Sequence, residues 1–286
     1  MNGIREKLLR VLKTYAGTRK IAASEAEKMA AMARLKIHGT TILALKFKEG
    51  VIMAADRRCV AGEKIFSDKE IKIEETGSLS CIAGAGYVSD CQWLVKVLKQ
   101  EFLPELEKFW ELDEIFVDGQ ANLIDFIMEN VFLLTWPILA GFDPFENNGR
   151  IFMFEPGGML FKPDDYAAYG SGEDYALTVL DKEWSYDCSE TKGIMIAIEA
   201  LLASGKKDKN TSDSLLHPPL IKIITSCGIK DFPAEKFFKI ALKERVKEEA
   251  RKGIKDGLGT FIVGQFLQNL AKELEKERKK TMEAEK

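Results

Sequence analysis

The sequence predicts an α+β fold: a four-layer α-β-β-α sandwich, two antiparallel sheets packed face to face and flanked by helix pairs. Three observations predict it. Short β-rich runs occur in sets separated by glycine turns. A pair of long helical patterns follows each set. The order strands, two helices, strands, two helices, strand gives each sheet one face for the other sheet and one for helices. The 286 residues allow one large domain or two small ones.

The elements follow in chain order. Met1–Lys36 reads mainly as helix, with Leu8, Leu9, Val11 and Leu12 on one stripe and an Ala/Glu/Met-rich stretch over 22–34. Thr41–Lys48 and Val51–Asp56 form a hairpin around Glu49-Gly50. Glu63–Glu75 and Ser78–Ala83 form a second pair around Thr76-Gly77. Ser89-x-x-Gln92 reads as a capping box opening a helix that carries Trp93, Leu94, Val97, Leu98 and Phe102 and bends at Pro104. Asn122–Leu134 reads as a second helix. Strands return over Trp136–Phe142, Gly149–Glu155, Met159–Phe161 and Tyr166–Ala168, then helices over 173–184 and 190–204, then a strand at Leu220–Thr225. From Pro233 the pattern becomes highly charged helix of mixed sign, a solvated face by its charge pattern.

Composition narrows the function. No apolar run approaches the roughly 20 residues of a membrane helix. Met1–Ala16 has no apolar signal core, so secretion is not expected. The cysteines Cys59, Cys81, Cys91, Cys188 and Cys227 form no C-x-x-C pair, which suits free thiols in a reducing compartment and a cytoplasmic location. Residues 1–39 carry nine Lys/Arg against three Asp/Glu, so +6; the rest sum to −9 and the whole to −3. That basic leader lacks interleaved aromatics, so nucleic acid is not an expected partner. Only His38 and His217 supply imidazole, so the chemistry is expected to do without it, and no metal or organic cofactor is called for.

One stretch answers that shortage. His38-Gly39-Thr40-Thr41 opens the first apolar strand. A threonine hydroxyl needs a base to act as a nucleophile. If the Gly39–Thr40 bond is cut, Thr40 gains a free α-amine beside its own hydroxyl. An α-amine has a pKa of roughly 7.7–8.0, close to what a general base requires. Gly39 leaves the backbone free to kink for attack on its own carbonyl. The plain alternative is a loop-to-strand junction.

Longer motifs supply the context. "GTTILALKFKEGVIMAADRR" and "SDKEIKIEETGSLSCIAGAG", then "ILAGFDPFENNGRIFMFEPGGML", "YAAYGSGEDYA" and "LLASGKKDKNTSD", stand in order over about residues 39–230. Together they resemble a proteasome β-type subunit, an N-terminal-nucleophile threonine peptidase. The resemblance implies that Thr40 is the catalytic N-terminal threonine, with Asp56 sixteen residues on and Lys72 thirty-two on. A lysine there would favour the ionised hydroxyl and lower the amine's pKa by like-charge repulsion. Gly84 matches the glycine whose backbone N–H serves as the oxyanion donor. Ser171, Asp208 and Thr211 match the groups around the threonine amine, and Cys59, Ala61 and Ile82 match the substrate-pocket positions, with cleavage expected after apolar residues.

The same resemblance implies a propeptide over 1–39, a peptidase domain over 40–232 and a C-terminal helical extension over 233–286. It implies other β-type subunits in stacked heptameric rings, a possible α-type ring and unfolding ATPase as partners, and unfolded polypeptide as substrate. The alternatives are an inactive structural ring subunit of the same fold and a simpler bacterial ring protease related to the proteasome. The sequence departs from the family after Thr211, where Ser212-Asp213 replaces a common glycine pair, and at Lys209-Asn210.

Overall fold

A computed structural model describes residues 2–16, 39–61 and 64–241 of the chain. Its elements are α1 (Asn2–Ala16), β1 (Thr41–Phe47), β2 (Gly50–Ala55), β3 (Cys59–Ala61), β4 (Lys64–Ser67), β5 (Ile73–Gly77) and β6 (Ser80–Gly86). Then come α2 (Val88–Val97), a π-helical turn (Leu98–Phe102), α3 (Leu103–Trp110), α4 (Val117–Asn130), β7 (Thr135–Asp143), β8 (Asn148–Glu155), β9 (Met159–Phe161) and β10 (Tyr166–Gly170). They end with α5 (Glu173–Glu183), α6 (Glu190–Lys207), β11 (Leu220–Thr225) and β12 (Gly228–Asp231), and residues 234–241 are helical.

Two five-stranded antiparallel sheets carry the fold, in the orders β10-β1-β2-β11-β12 and β5-β6-β7-β8-β9. The expected sandwich is present. Alternation along each strand builds it. In β1, Ile42 and Ala44 face the other sheet, and Leu43, Leu45 and Phe47 face the helices. In β6, Cys81, Ala83 and Ala85 face inward and Ile82 faces the helices. Both faces are covered, so β1 and β2 read as nearly unbroken apolar runs. The first sheet is covered by α5, α6 and residues 234–241, and the second by α1 to α4.

The details differ from the sequence reading in four places. The run Glu63–Glu75 is two strands, not one. β4 pairs with β3, and the chain turns over 68–72 before β5 starts. Arg58 holds Asp68 at 2.7 Å at the start of that connection. The capping box is not formed: the helix opens at Val88 behind Tyr87, which makes no side-chain cap bond. The helix read over Asn122–Leu134 spans Val117–Asn130. Val131 is extended, and Val131 and Leu133 are buried as a lead-in to β7. The bend expected at Pro104 is a π turn, in which the Leu103 N–H reaches back five residues to the Leu98 carbonyl.

The ends also pack. Leu8 and Leu12 of α1 are buried in the same cluster as Leu98, Phe102 and Leu103, and Lys7 pairs with Glu105 on α3. Phe237 and Ala241 are buried against α5 and α6, so the boundary expected at 233 falls inside the packed body. The remaining leader over 17–38 and the charged helices expected beyond 241 lie outside the described residues.

Candidate active site

Thr40 sits at the head of β1, the second strand of its sheet. The registers Thr41↔Gly170 and Ile42↔Ala55 place it between the end of β10 and the end of β2. The turn Gly170-Ser171-Gly172 closes over it. Gly170 has φ +114°, and a Cβ there would lie 2.0 Å from the Thr40 carbonyl oxygen. A Cβ on Gly172 would lie 2.2 Å from Thr41 Oγ1. The Gly-Ser-Gly triplet is therefore a steric requirement of the strand head. Thr40 itself is 6% exposed.

Two hydrogen-bonded groups converge on this strand head. In the first, the Thr40 N–H donates to Ser171 Oγ (3.3 Å), Ser171 Oγ donates to Asp208 Oδ2 (2.5 Å), and Thr211 Oγ1 donates to the same oxygen (2.7 Å). Thr41 Oγ1 and Thr211 Oγ1 share a further hydrogen bond at 2.7 Å. In the second, fully buried Asp56 accepts from Lys72 Nζ (2.6 Å) and Thr41 N–H (2.8 Å) through Oδ1. Its Oδ2 accepts from Arg58 N–H (2.8 Å) and Ser212 N–H (3.0 Å). Asp56 is thus a saturated carboxylate that fixes Lys72. An ammonium has three donors. Asp56 is the one acceptor of Lys72 among the described residues, which leaves two donors for groups in the cleft.

The cleft itself has a volume of about 1090 Å³ and is lined by Gly39, Thr40, Cys59, Lys72, Gly84 and Cys91, among others. β5 pairs with β6 only as far as Ile73↔Ala83, so Gly84 lies just beyond the end of that ladder. On its other side Gly84 faces Pro137, which has no N–H of its own. A Cβ on Gly84 would lie 2.7 Å from Cys91 Sγ. Cys91 Sγ is within 3.0 Å of Thr135 Oγ1, and burial pushes its pKa up to about 11. Burial also raises the pKa of Cys59, with the Glu70 charge adding to it.

A buried threonine, a lysine held by a buried aspartate, and a Ser–Asp–Thr cluster meet on one cleft wall, with no histidine among them. His217 lies elsewhere, 3.5 Å from Asp68. Comparison with known proteins agrees with that geometry. The family model described as "Proteasome subunit" matches residues 37–215. The chain belongs to the proteasome subunit family. "Proteasome subunit beta 2" of Pyrococcus furiosus is 34% identical over 69% of this chain and 92% of that protein. "Proteasome subunit beta" of Halobacterium salinarum is 30% identical over 68% and 80%, and that of a Parafrankia species is 30% identical over 68% and 73%.

Of the positions carried over from the proteasome motif, Thr40, Asp56, Lys72, Ser171, Asp208 and Thr211 lie together, and Gly84 and Cys59 share the cleft with Thr40 and Lys72. Ile82 does not reach the cleft. It alternates onto the helix-facing side of β6 and is buried with Leu94 and Leu139. The apolar lining comes instead from Val60, Ile71, Val88 and Val95. Ala61 ends β3 opposite Lys64, and its side chain lies outside the described residues.

Gly39 is needed for a reason other than backbone freedom. It is not in the left-handed region; a Cβ there would lie 2.2 Å from Asn210 Cβ. The departures at 209–213 are also accommodated. Ser212 N–H joins Asp56, Ser212 Oγ accepts from Arg57 N–H (3.2 Å), and the Lys209 carbonyl accepts from Arg58 (2.7 Å). Sequence reasoning missed Ser212, Thr41 and Asn210. The threonine pair is the available signal for Thr41; Asn210 and Ser212 stand out only as departures from the family pattern, with no sign of what they contact.

Proposed function

We propose that this chain is a threonine-type endopeptidase subunit of a proteasome-type protease, matured by cutting its own Gly39–Thr40 bond. The observation that carries the reading is the meeting of Thr40 with Ser171–Asp208–Thr211 on one side and Lys72–Asp56 on the other, in the wall of a cleft.

In maturation, Thr40 Oγ1 attacks the Gly39 carbonyl carbon. The amide C–N bond breaks, an ester forms, and the Thr40 nitrogen leaves as a free amine. Water then hydrolyses the ester and releases the leader. In turnover, the amine takes the hydroxyl proton as Oγ1 attacks a substrate carbonyl. The proton passes to the leaving amine, and water resolves the acyl-enzyme. Lys72, held by Asp56, favours the ionised hydroxyl and disfavours a second positive charge on the amine. Ser171 and Asp208 hold the nitrogen that becomes the amine. The Gly84 N–H serves the oxyanion, at a contribution of about 2.7–4 kcal/mol by analogy with a side-chain donor.

Family membership supports assembly with other subunits in rings. We place unfolded polypeptide as the substrate, an α-type ring and an unfolding ATPase as possible partners, and the cytoplasm as the location. Five free cysteines support a reducing compartment.

The test is the intact mass and N-terminal sequence of the assembled protein beside Thr40→Ala, with turnover of a leucine-ending fluorogenic peptide. A wild type starting at Thr40 and turning over peptide, with a variant that keeps residues 1–39 and does not, is the expected result. A leader retained by both makes the chain a structural ring subunit.

A further inference from the structure

The α2 wall of the cleft carries a pattern that the catalytic steps do not use. Val88, Cys91, Gln92, Val95, Lys96 and Lys99 all line the cleft. Their three- and four-residue spacings put them on one stripe of the helix and its π turn. The stripe is graded. Its inner end is marked by Cys91, packed against Gly84. Farther along stand exposed Lys96 and Lys99. A helix rises about 1.5 Å per residue, so these lysines lie about 7.5 and 12 Å beyond Cys91. An extended peptide advances about 3.3 Å per residue. The lysines are therefore about two to four residues along a peptide from the position bound against Gly84.

The cleft charges are not equally available. Arg58 is held by Asp68 at 2.7 Å, Lys72 by Asp56 at 2.6 Å, and Lys99 by Glu74 at 3.3 Å. Among the described residues, Lys96 and Lys69 have no ion-pair partner. Glu70 also lines the cleft, as an anion that accepts from Gln92 Nε2 at 3.5 Å. The cleft-lining charges carried by the stripe itself, Lys96 and Lys99, are both positive, and they follow an inner end that holds Val88 and Cys91.

We infer that Lys96 forms a subsite for a carboxylate side chain of the bound peptide, about two residues along from the position bound against Gly84. The inference rests on the peptidase reading and adds a substrate class to it: segments with an acidic residue set off from an apolar cleavage position.

The experiment uses the assembled protein and internally quenched peptides with one leucine among small neutral residues. Asp, Asn or Lys is placed in turn at each of the four positions on either side of the leucine. At one position, Asp is expected to exceed Asn by roughly threefold to fivefold in kcat/KM, through KM, with the ratio shrinking at high salt. Lys96→Gln is expected to bring that ratio to about one, and Lys96→Glu to favour the Lys peptide. No position preferring Asp, or a ratio untouched by Lys96→Gln, overturns the subsite. If no peptide is cut at all, the peptidase reading falls separately. Fluorescence anisotropy of labelled Asp and Asn peptides on the same protein then decides the subsite: tighter Asp binding lost in Lys96→Gln supports it, and equal Kd values overturn it.

Discussion

Asp56 and Lys72 meet at 2.6 Å with side-chain exposures of 0% and 6%, sixteen residues apart in sequence, one just past the end of β2 and the other just before β5. Asp56 is closed off from solvent, while Lys72 reaches the cleft, so the buried carboxylate depends on the lysine for its counter-charge. Removing one partner of a buried pair typically costs about 3–5 kcal/mol. Asp56 keeps three backbone donors when the lysine is lost. Lys72→Met is therefore expected to cost about 3 kcal/mol, at the low end of that range, in urea denaturation, together with peptide turnover. Unchanged stability would mean that the pair is solvated in solution.

Much of this site was legible because its residues stand at strand ends, where spacing along the chain becomes position in space. Thr40 and Asp56 close adjacent antiparallel strands, so a sixteen-residue interval around a hairpin returns them to one edge. Lys72 was harder. The run Glu63–Glu75 predicts it inside one long strand, whereas it lies in the connection just before β5. Ser212 and Asn210 act through a backbone N–H and a steric wall, and neither leaves a mark on residue type. Ile82 shows the opposite failure: its position matched a pocket residue, but strand alternation sends it into the core.

Gly84 and Cys91 are expected to couple. A methyl on Gly84 would stand 2.7 Å from Cys91 Sγ and 3.0 Å from its Cβ. Overpacking of this kind costs about 1–3 kcal/mol. Gly84→Ala should lose stability in that range, and Cys91→Ala in the same chain should restore part of it. A double-mutant cycle by thermal unfolding checks this, with a coupling of about 0.5 kcal/mol or more expected. Strict additivity would place the two residues out of contact.

The Cys91 thiol is expected to be slow toward alkylation although it lines the cleft. Burial pushes its pKa up to about 11, against the opposing pull of the Thr135 hydrogen bond. The thiolate is the reactive form. It is scarce at neutral pH and becomes tenfold more abundant with each pH unit until about 11. Mass spectrometry after iodoacetamide treatment should find the exposed Cys227 modified first at pH 7, with Cys91 following only as pH rises. Equal rates at pH 7 would contradict the burial.

Glu173 opens α5 beside the site, and its Oε2 accepts the Gly170 N–H at 3.1 Å. Burial raises its carboxyl pKa above the usual value, more than that hydrogen bond lowers it. The folded state therefore holds its proton to higher pH than the unfolded chain. The associated stability is complete below the unfolded pKa and is lost as pH rises through the folded one. Glu173→Gln keeps an acceptor for Gly170 and removes the buried charge. Its Tm should match wild type near pH 4 and exceed it by a few degrees at pH 7. A lower Tm at pH 7 would show that the charge itself is needed.

Among the described residues, the leader helix α1 is held by few side chains. Isolated helices shorter than about 12–15 residues are marginal in water, and α1 has 15 residues. Leu8 and Leu12, buried in one cluster with α3 and the π turn, partly buried Val11 and the Lys7–Glu105 pair are its anchors among the described residues. Burying one leucine contributes about 1.5–3 kcal/mol, so losing one removes a large share of the docking energy. Leu12→Asp also forces a carboxylate against Phe102 and Leu103. In the uncut Thr40→Ala chain, this substitution should open residues 2–16 to limited proteolysis while the body from Thr40 onward stays resistant. Proteolysis at an unchanged rate would mean that α1 draws its stability from contacts other than these leucines, and that the basic leader is tied to the body more firmly than its two buried side chains imply.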